Sequence, residues 1–156
     1  MEKGITNGVD ATHFGPGAEC SRAQIVTFLW RAAGEPKAAN TTNPFEDVPA
    51  DSYYYDAVLW AVEEGITNGL DETHFGPNAK CSRTQVVTFL WRAAGEPDAT
   101  IENPFVDVVE GSFYYDAVLW AVENGVTNGV SNDTFGISET CNRGQAVTFL
   151  YRAFAE

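Results

Sequence analysis

One segment recurs three times along this chain, and that recurrence confines the fold to an array of similar units. Residues 20–36 read CSRAQIVTFLWRAAGEP and residues 81–97 read CSRTQVVTFLWRAAGEP, differing only at Ala23/Thr84 and Ile25/Val86. A third copy, CNRGQAVTFLYRAFAE, occupies 141–156. Between the copies, 44–69 and 104–129 match at 19 of 26 positions. Cys20, Cys81 and Cys141 mark a period of 61 and then 60 residues. The chain therefore divides into a partial first unit (1–36), a second unit (44–97) and a third (104–156), forming one domain. Polar linkers at 37–43 and 98–103 join them. Met1 falls just ahead of Gly4-Ile5-Thr6-Asn7-Gly8, so the first unit is expected to lack its Pro-Phe-x-Asp-Val segment and the helix that follows it.

Each full unit reads as helix, loop, helix, which predicts an all-α fold. The first helix is predicted over about Ser52–Glu64, with Ser52 as N-cap and Gly65 at C′. Tyr54, Ala57, Val58, Ala61 and Val62 follow the i, i+3, i+4, i+7, i+8 spacing of one helix face. The second helix is predicted over about Arg22–Ala33, stopped by Gly34 and Pro36. Ser21-x-x-Gln24, Ser82-x-x-Gln85 and Asn142-x-x-Gln145 form capping boxes at its start in the three copies. The stretch between the helices, Gly-Ile-Thr-Asn-Gly followed by Thr-His-Phe-Gly-Pro, is rich in turn formers and leaves room for a short extended pair. Trp30, Trp60, Trp91 and Trp120 lie on apolar helix faces and are expected in the core.

Nine Lys+Arg against 22 Asp+Glu give a net charge of −13, which argues against nucleic acid and anionic membrane surfaces as partners. No run of about 18 apolar residues is present to cross a bilayer. Against this acidity, all six arginines occupy two repeated positions. Arg31, Arg92 and Arg152 close the second helix, where the negative end of the macrodipole accounts for a cation. Arg22, Arg83 and Arg143 instead follow the N-cap, where the dipole disfavours positive charge. Two readings stay open. One is an internal ion pair with Asp47, Asp107, Asp56 or Asp116. The other is an anion site, where guanidinium, helix N-terminal N–H groups and glycine backbone converge on a carboxylate or phosphate.

The loop supports a site. Gly8, Gly69 and Gly129 allow positive φ and close approach by a ligand, whereas the first glycine of each loop is accounted for as a helix C-cap. Asn7 and Asn68 offer amide donors and acceptors to a sugar, although Asn-Gly is also a common turn. In the runs Tyr53-Tyr54-Tyr55 and Phe113-Tyr114-Tyr115, at least one ring faces outward. Tyr54 and Tyr114 are the candidates to stack on a sugar.

The order Phe-x-Asp-Val, aromatic Ala-Val helix, Gly-Ile-x-x-Gly, Thr-x-Phe-x-Pro and Ser-Arg-Ala-Gln resembles the S-layer homology repeat over nearly the whole chain. The resemblance implies a pseudo-threefold array of repeats, a central bundle with one helix from each unit, and clefts between units. It implies a non-catalytic module that anchors a larger exported protein to the bacterial cell wall through an anionic secondary polysaccharide, often a pyruvylated one. In that family the motif arginine contacts the anionic sugar and the loop glycine lines the cleft, positions held here by Arg22, Arg83, Arg143 and Gly8, Gly69, Gly129. The acid of the family's Thr-Arg-Ala-Glu motif is Gln24, Gln85 or Gln145 in this chain. The third unit also departs at Gly144 and Ile137.

Three cysteines at one repeated position read as buried free thiols, since a pseudo-threefold axis disfavours disulfide geometry. A closed zinc site wants a fourth ligand, and His13 and His74 lack metal-ligand spacing. No nucleophile–base arrangement or phosphate loop recurs, so neither cofactor nor catalysis is expected. The rival reading is a protein-binding surface module: an adhesin, a ligand for a host factor or an S-layer self-assembly unit. A bundle short of one helix is also expected to pair with a second copy over the exposed apolar face.

Overall fold

The computed structural model describes residues 18–154. Within them lie five helices: α1 (Arg22–Ala32), α2 (Tyr55–Glu63), α3 (Arg83–Ala93), α4 (Tyr115–Glu123) and α5 (Arg143–Phe154). No strand forms among the described residues: the extended pair considered for the loops between the helices does not form, and the isolated bridges join instead the segments just ahead of the bundle helices in different units. The helices α1, α3 and α5, one from each unit, pack against one another as the central bundle. Helix α2 covers α1 and α4 covers α3. No described helix covers α5 in the same way. There Thr148 and Tyr151 are exposed, whereas Thr27 and Thr88 are buried and Trp30 and Trp91 half-buried. None of the helices is long and apolar enough to cross a membrane.

The bundle helices start as the capping boxes predict. Ser21 Oγ accepts from Gln24 N while Gln24 Oε1 accepts from Ser21 N, and the same reciprocal pair forms at Ser82/Gln85 and Asn142/Gln145. They stop as the glycines predict. Gly34 N donates to Arg31 O and Glu35 N to Trp30 O, a Schellman closure that needs the positive φ of Gly34 (92°). Helix α2 closes on Gly65 in the same manner. Its start differs from expectation. Ser52 is not the N-cap: its hydroxyl donates to Pro49 O, successive turns occupy 49–55, and the helix begins at Tyr55.

At the axis, three backbone bonds close a ring: Cys20 N to Cys141 O, Cys81 N to Cys20 O and Cys141 N to Cys81 O, at 2.8–2.9 Å. All three cysteines are buried and free. The helix starts are stitched outward from this ring. Arg22 N donates to Ala79 O, Arg83 N to Glu139 O and Arg143 N to Ala18 O. Each unit thereby satisfies the orphan donors of another's helix. Around the bundle Ile25, Val26, Leu29, Val86, Val87, Leu90, Ala146 and Leu150 are almost fully buried, and Trp60 and Trp120 join them from the outer helices. Trp30 and Trp91 sit at the rim with their indole N–H bonded to Pro36 O and Pro97 O.

Candidate functional site

Arg22, Arg83 and Arg143 project from the first turn of the bundle helices and are only 3–4% exposed. Arg22 Nε donates to Phe75 O at 2.9 Å and Nη2 to Thr67 Oγ1 at 3.1 Å. Its guanidinium lies over the rings of Phe75 and Phe89, 4.9 and 5.4 Å from their centroids. Arg83 repeats the arrangement with Phe135 O, Thr127 Oγ1, Phe135 and Phe149. Arg143 lies over Phe28 at 5.5 Å. Burial pulls the Arg22 and Arg83 guanidiniums below their ordinary range, and nearby acidic groups oppose the shift.

Neither Arg22 nor Arg83 forms an ion pair within 4 Å with a described carboxylate. The aspartates act one bond away. Asp47 accepts from Phe75 N (2.8 Å) and Gly76 N (2.9 Å), so Asp47 and Arg22 hold opposite polar groups of Phe75. Asp107 accepts from Phe135 N, Gly136 N and Ile137 N. Burial alone would raise the Asp107 carboxyl; these backbone donors outweigh it and hold it below the usual carboxylate range. The helix N–H groups are engaged as well: Arg22 N by Ala79 O, Ala23 N by Pro77 O, Gln24 N by Ser21 Oγ. The expected convergence of helix N-terminal N–H groups on an anion is therefore corrected, because neighbouring carbonyls and the Ser21 hydroxyl already occupy them.

What opens beside Arg22 is a cleft of about 210 Å³ built from all three units. Arg22 comes from α1. Thr67, Asn68 and Gly69 come from the loop after α2. Gln85, Thr88, Phe89 and Arg92 come from α3, and Phe113 from the turn before α4. No acidic residue lines it. The cleft unites Arg22, Asn68 and Gly69 from the sequence-derived set. Gly69 has a packing reason of its own. At φ +87° a Cβ would stand 2.6 Å from Phe45 Cε1 and 2.9 Å from His74 O. Gly129 stands likewise against Phe105 and Thr134 O. Gly8 and Asn7 lie outside the described residues.

Tyr54 and Tyr114 are half-buried against the core, and the residue before each carries the exposed ring. Phe113 is 59% exposed and lines the cleft, resting edge-on against Tyr114 at 5.1 Å. Tyr53 rests the same way on Tyr54 and lies within electrostatic reach of Arg143 and Arg31. The other six cleft residues, Thr67, Gln85, Thr88, Phe89, Arg92 and Phe113, were not among the sequence-derived candidates. Thr67 receives the Arg22 Nη2 hydrogen bond, Gln85 was read only as a cap, and Arg92 only as a dipole partner. Arg92 Nη1 instead donates to Ile66 O, at the head of the cleft loop. No group of three or more Cys, His, Asp or Glu side chains among the described residues is placed to hold a metal ion.

Residues 44–87 and 104–147 match the family profile of the S-layer homology domain. The chain is 33% identical over 133 residues to the surface-layer 125 kDa protein of Lysinibacillus sphaericus, covering 83% of this chain and 11% of that protein. It is 32% identical over 98 residues to a cell surface protein of Thermoanaerobacter kivui, covering 60% and 13%. It is 27% identical over 136 residues to an endoglucanase of Bacillus sp. (strain KSM-635), covering 83% and 14%. The chain thus spans only about a tenth to a seventh of these curated relatives.

Proposed function

The chain belongs to the S-layer homology family of bacterial cell-surface modules, and from that premise we propose that it is a non-catalytic anchor for an anionic cell-wall polysaccharide. One observation carries the reading. In a chain of net charge −13, the cleft between units is lined by two arginines and by no carboxylate. A local electropositive pocket in an acidic shell favours an acid group presented on a neutral scaffold over a dense polyanion, whose backbone the shell repels. A pyruvate ketal on an amino sugar has that character: one carboxylate, a pyranose ring and hydroxyls for Asn68 and Gln85. Arg22 and Arg83 are the proposed carboxylate clamps, with Arg143 at the third position. The parent protein is a larger exported one, held to the wall by this module.

The test is a pull-down on purified walls, before and after extraction of their secondary polymer. The parent chain is expected to sediment with intact walls and to lose that binding on extracted ones. The Arg22→Ala/Arg83→Ala variant, checked for folding by circular dichroism, is expected to remain in the supernatant. Equal binding to extracted walls would favour the protein-binding reading and overturn this one.

A second reading concerns α5. Among the described residues no helix covers the Thr148 and Tyr151 face of α5 as α2 and α4 cover α1 and α3, and the exposure of Tyr151 supports self-association through that face. Sedimentation velocity is expected to show a dimer that Tyr151→Glu dissociates; a monomer at all concentrations contradicts it.

A further inference from the structure

We propose that Arg92 and Phe113 set the ligand specificity of the Arg22 cleft, Arg92 by selecting an acid-bearing sugar and Phe113 by receiving its ring. The inference rests on the wall-anchoring reading and assigns roles within that cleft.

Arg22 alone is a rigid donor. Its Nε and Nη2 are held by Phe75 O and Thr67 Oγ1, its guanidinium lies over two aromatic rings, and it cannot turn to follow a ligand. Arg92 is placed differently. Gln85, Thr88 and Arg92 stand at i, i+3 and i+7 on α3, one helix face, and all three line the cleft. Arg92 is half-buried. Its Nη1 bond to Ile66 O leaves donors on the rest of the guanidinium, at the end of a long flexible side chain. Arg152 makes the corresponding bond to Val126 O at 3.3 Å. The arginines of the last helical turn thus reach across to the loop of their own unit.

A carboxylate entering between Arg22 and Arg92 gains charge-assisted bonds from both sides. A neutral sugar gains no such pairing, and two desolvated guanidiniums facing it cost affinity. Gln85 deepens the preference. Its Oε1 accepts from Ser82 N, so the amide nitrogen is what it has left to offer, another donor.

Phe113 contributes a surface of the opposite kind. Its side chain has no polar atom, the residue is 59% exposed, and its ring stands edge-on to Tyr114. A flat apolar wall beside two cations suits the C–H face of a pyranose whose acid group points at the arginines. Arg22, Arg92 and Phe113 belong to three different units, so the pocket exists only when the array is assembled.

The experiment is isothermal titration of the chain with two probes. One is a methyl N-acetylhexosaminide carrying a pyruvate ketal, the other the same glycoside without the ketal. The parent is expected to prefer the ketal sugar. Arg92→Gln is expected to lose about tenfold in affinity for it with no loss for the plain sugar, and Arg92→Lys to recover part of the preference. Phe113→Ala, which removes an exposed ring and no core contact, is expected to weaken both sugars by a similar factor. If Arg92→Gln and Phe113→Ala bind the ketal sugar like the parent, the specificity proposal falls while wall anchoring stands. If Arg92→Gln weakens both sugars equally, Arg92 only shapes the loop and its selective role is overturned. If the parent neither binds the ketal sugar nor sediments with walls, both readings fall together.

Discussion

Arg22 and Asp47 never touch, yet they hold one residue between them: Arg22 Nε donates to Phe75 O at 2.9 Å and Asp47 accepts from Phe75 N at 2.8 Å. The peptide groups of Phe75 thus connect a cation on a bundle helix to an aspartate 25 residues away in sequence, and the bridge recurs at Arg83, Phe135 and Asp107. It accounts for an arginine at a helix start, where the dipole opposes it: a carbonyl, a hydroxyl and two aromatic faces compensate.

Coupling across this bridge is measurable. Arg22→Met keeps the aliphatic stem but leaves Phe75 O without its side-chain donor and Thr67 Oγ1 with Gly69 N alone, a cost of about 2 kcal/mol. Asp47→Asn weakens the bonds to Phe75 N and Gly76 N. A double-mutant cycle by urea unfolding is expected to give a coupling energy of about 0.5 kcal/mol or more, and strict additivity would show that the two residues act independently.

Glycines at positive φ separate into two classes. At Gly34 a Cβ meets nothing within 4 Å, so Gly34→Ala costs only the left-handed backbone term, about 1 kcal/mol. At Gly69 the Cβ collides with Phe45 and His74 O as well, and Gly69→Ala is expected to cost about 3 kcal/mol. Equal losses on thermal or urea unfolding would remove the packing reason given for Gly69.

The axial thiols should be silent until the fold opens. Burial pushes Cys20 and Cys141 up to about 12 and Cys81 higher still, so the nucleophilic thiolate is scarce at neutral pH. Ellman's reagent at pH 8 is expected to label the native chain no faster than it unfolds, and all three thiols at once in denaturant. Rapid labelling of one thiol in the native state would contradict the closed axis.

His74 carries a pH signature confined to one loop. Its hydrogen bond with the Asp71 carboxylate raises the imidazole above the ordinary 6.5, while the Thr73 backbone N–H leads in holding Asp71 below 3.8. The His74 contribution to stability is fully present below pH 6.5 and fades as pH rises through its folded value. The Asp71 contribution is present above 3.8 and fades as pH falls through its own. An NMR titration is expected to place His74 above 6.5, with Asp71→Asn bringing it down. An unchanged midpoint in that variant would show that the pair does not interact.

The helices, the capping boxes of the bundle helices and the glycine stops were legible because each is a local signal: Ser21 and Gln24 are three residues apart, Trp30 and Glu35 five. The partners of Arg22 were not, because Phe75 and Thr67 lie 53 and 45 residues away and meet it only through the wrap of one unit around another. The aromatic run was read one residue late. Ser52 starts a turn sequence instead of a helix, which places Phe113 and Tyr53 outward and Tyr114 and Tyr54 inward. Arg92 was hidden by a sufficient local explanation. A cation in a last helical turn needs no other reason, and only the fold shows it beside the cleft.

The most direct measurement is a crystal structure of the chain soaked with a pyruvylated wall-polymer fragment. The sugar carboxylate is predicted within hydrogen-bonding distance of the Arg22 guanidinium, with Arg92 on its other side and the ring against Phe113. A fragment bound elsewhere, for instance in the groove between Trp30, Glu35 and Asp56, with the Arg22 cleft empty, would contradict the assignment.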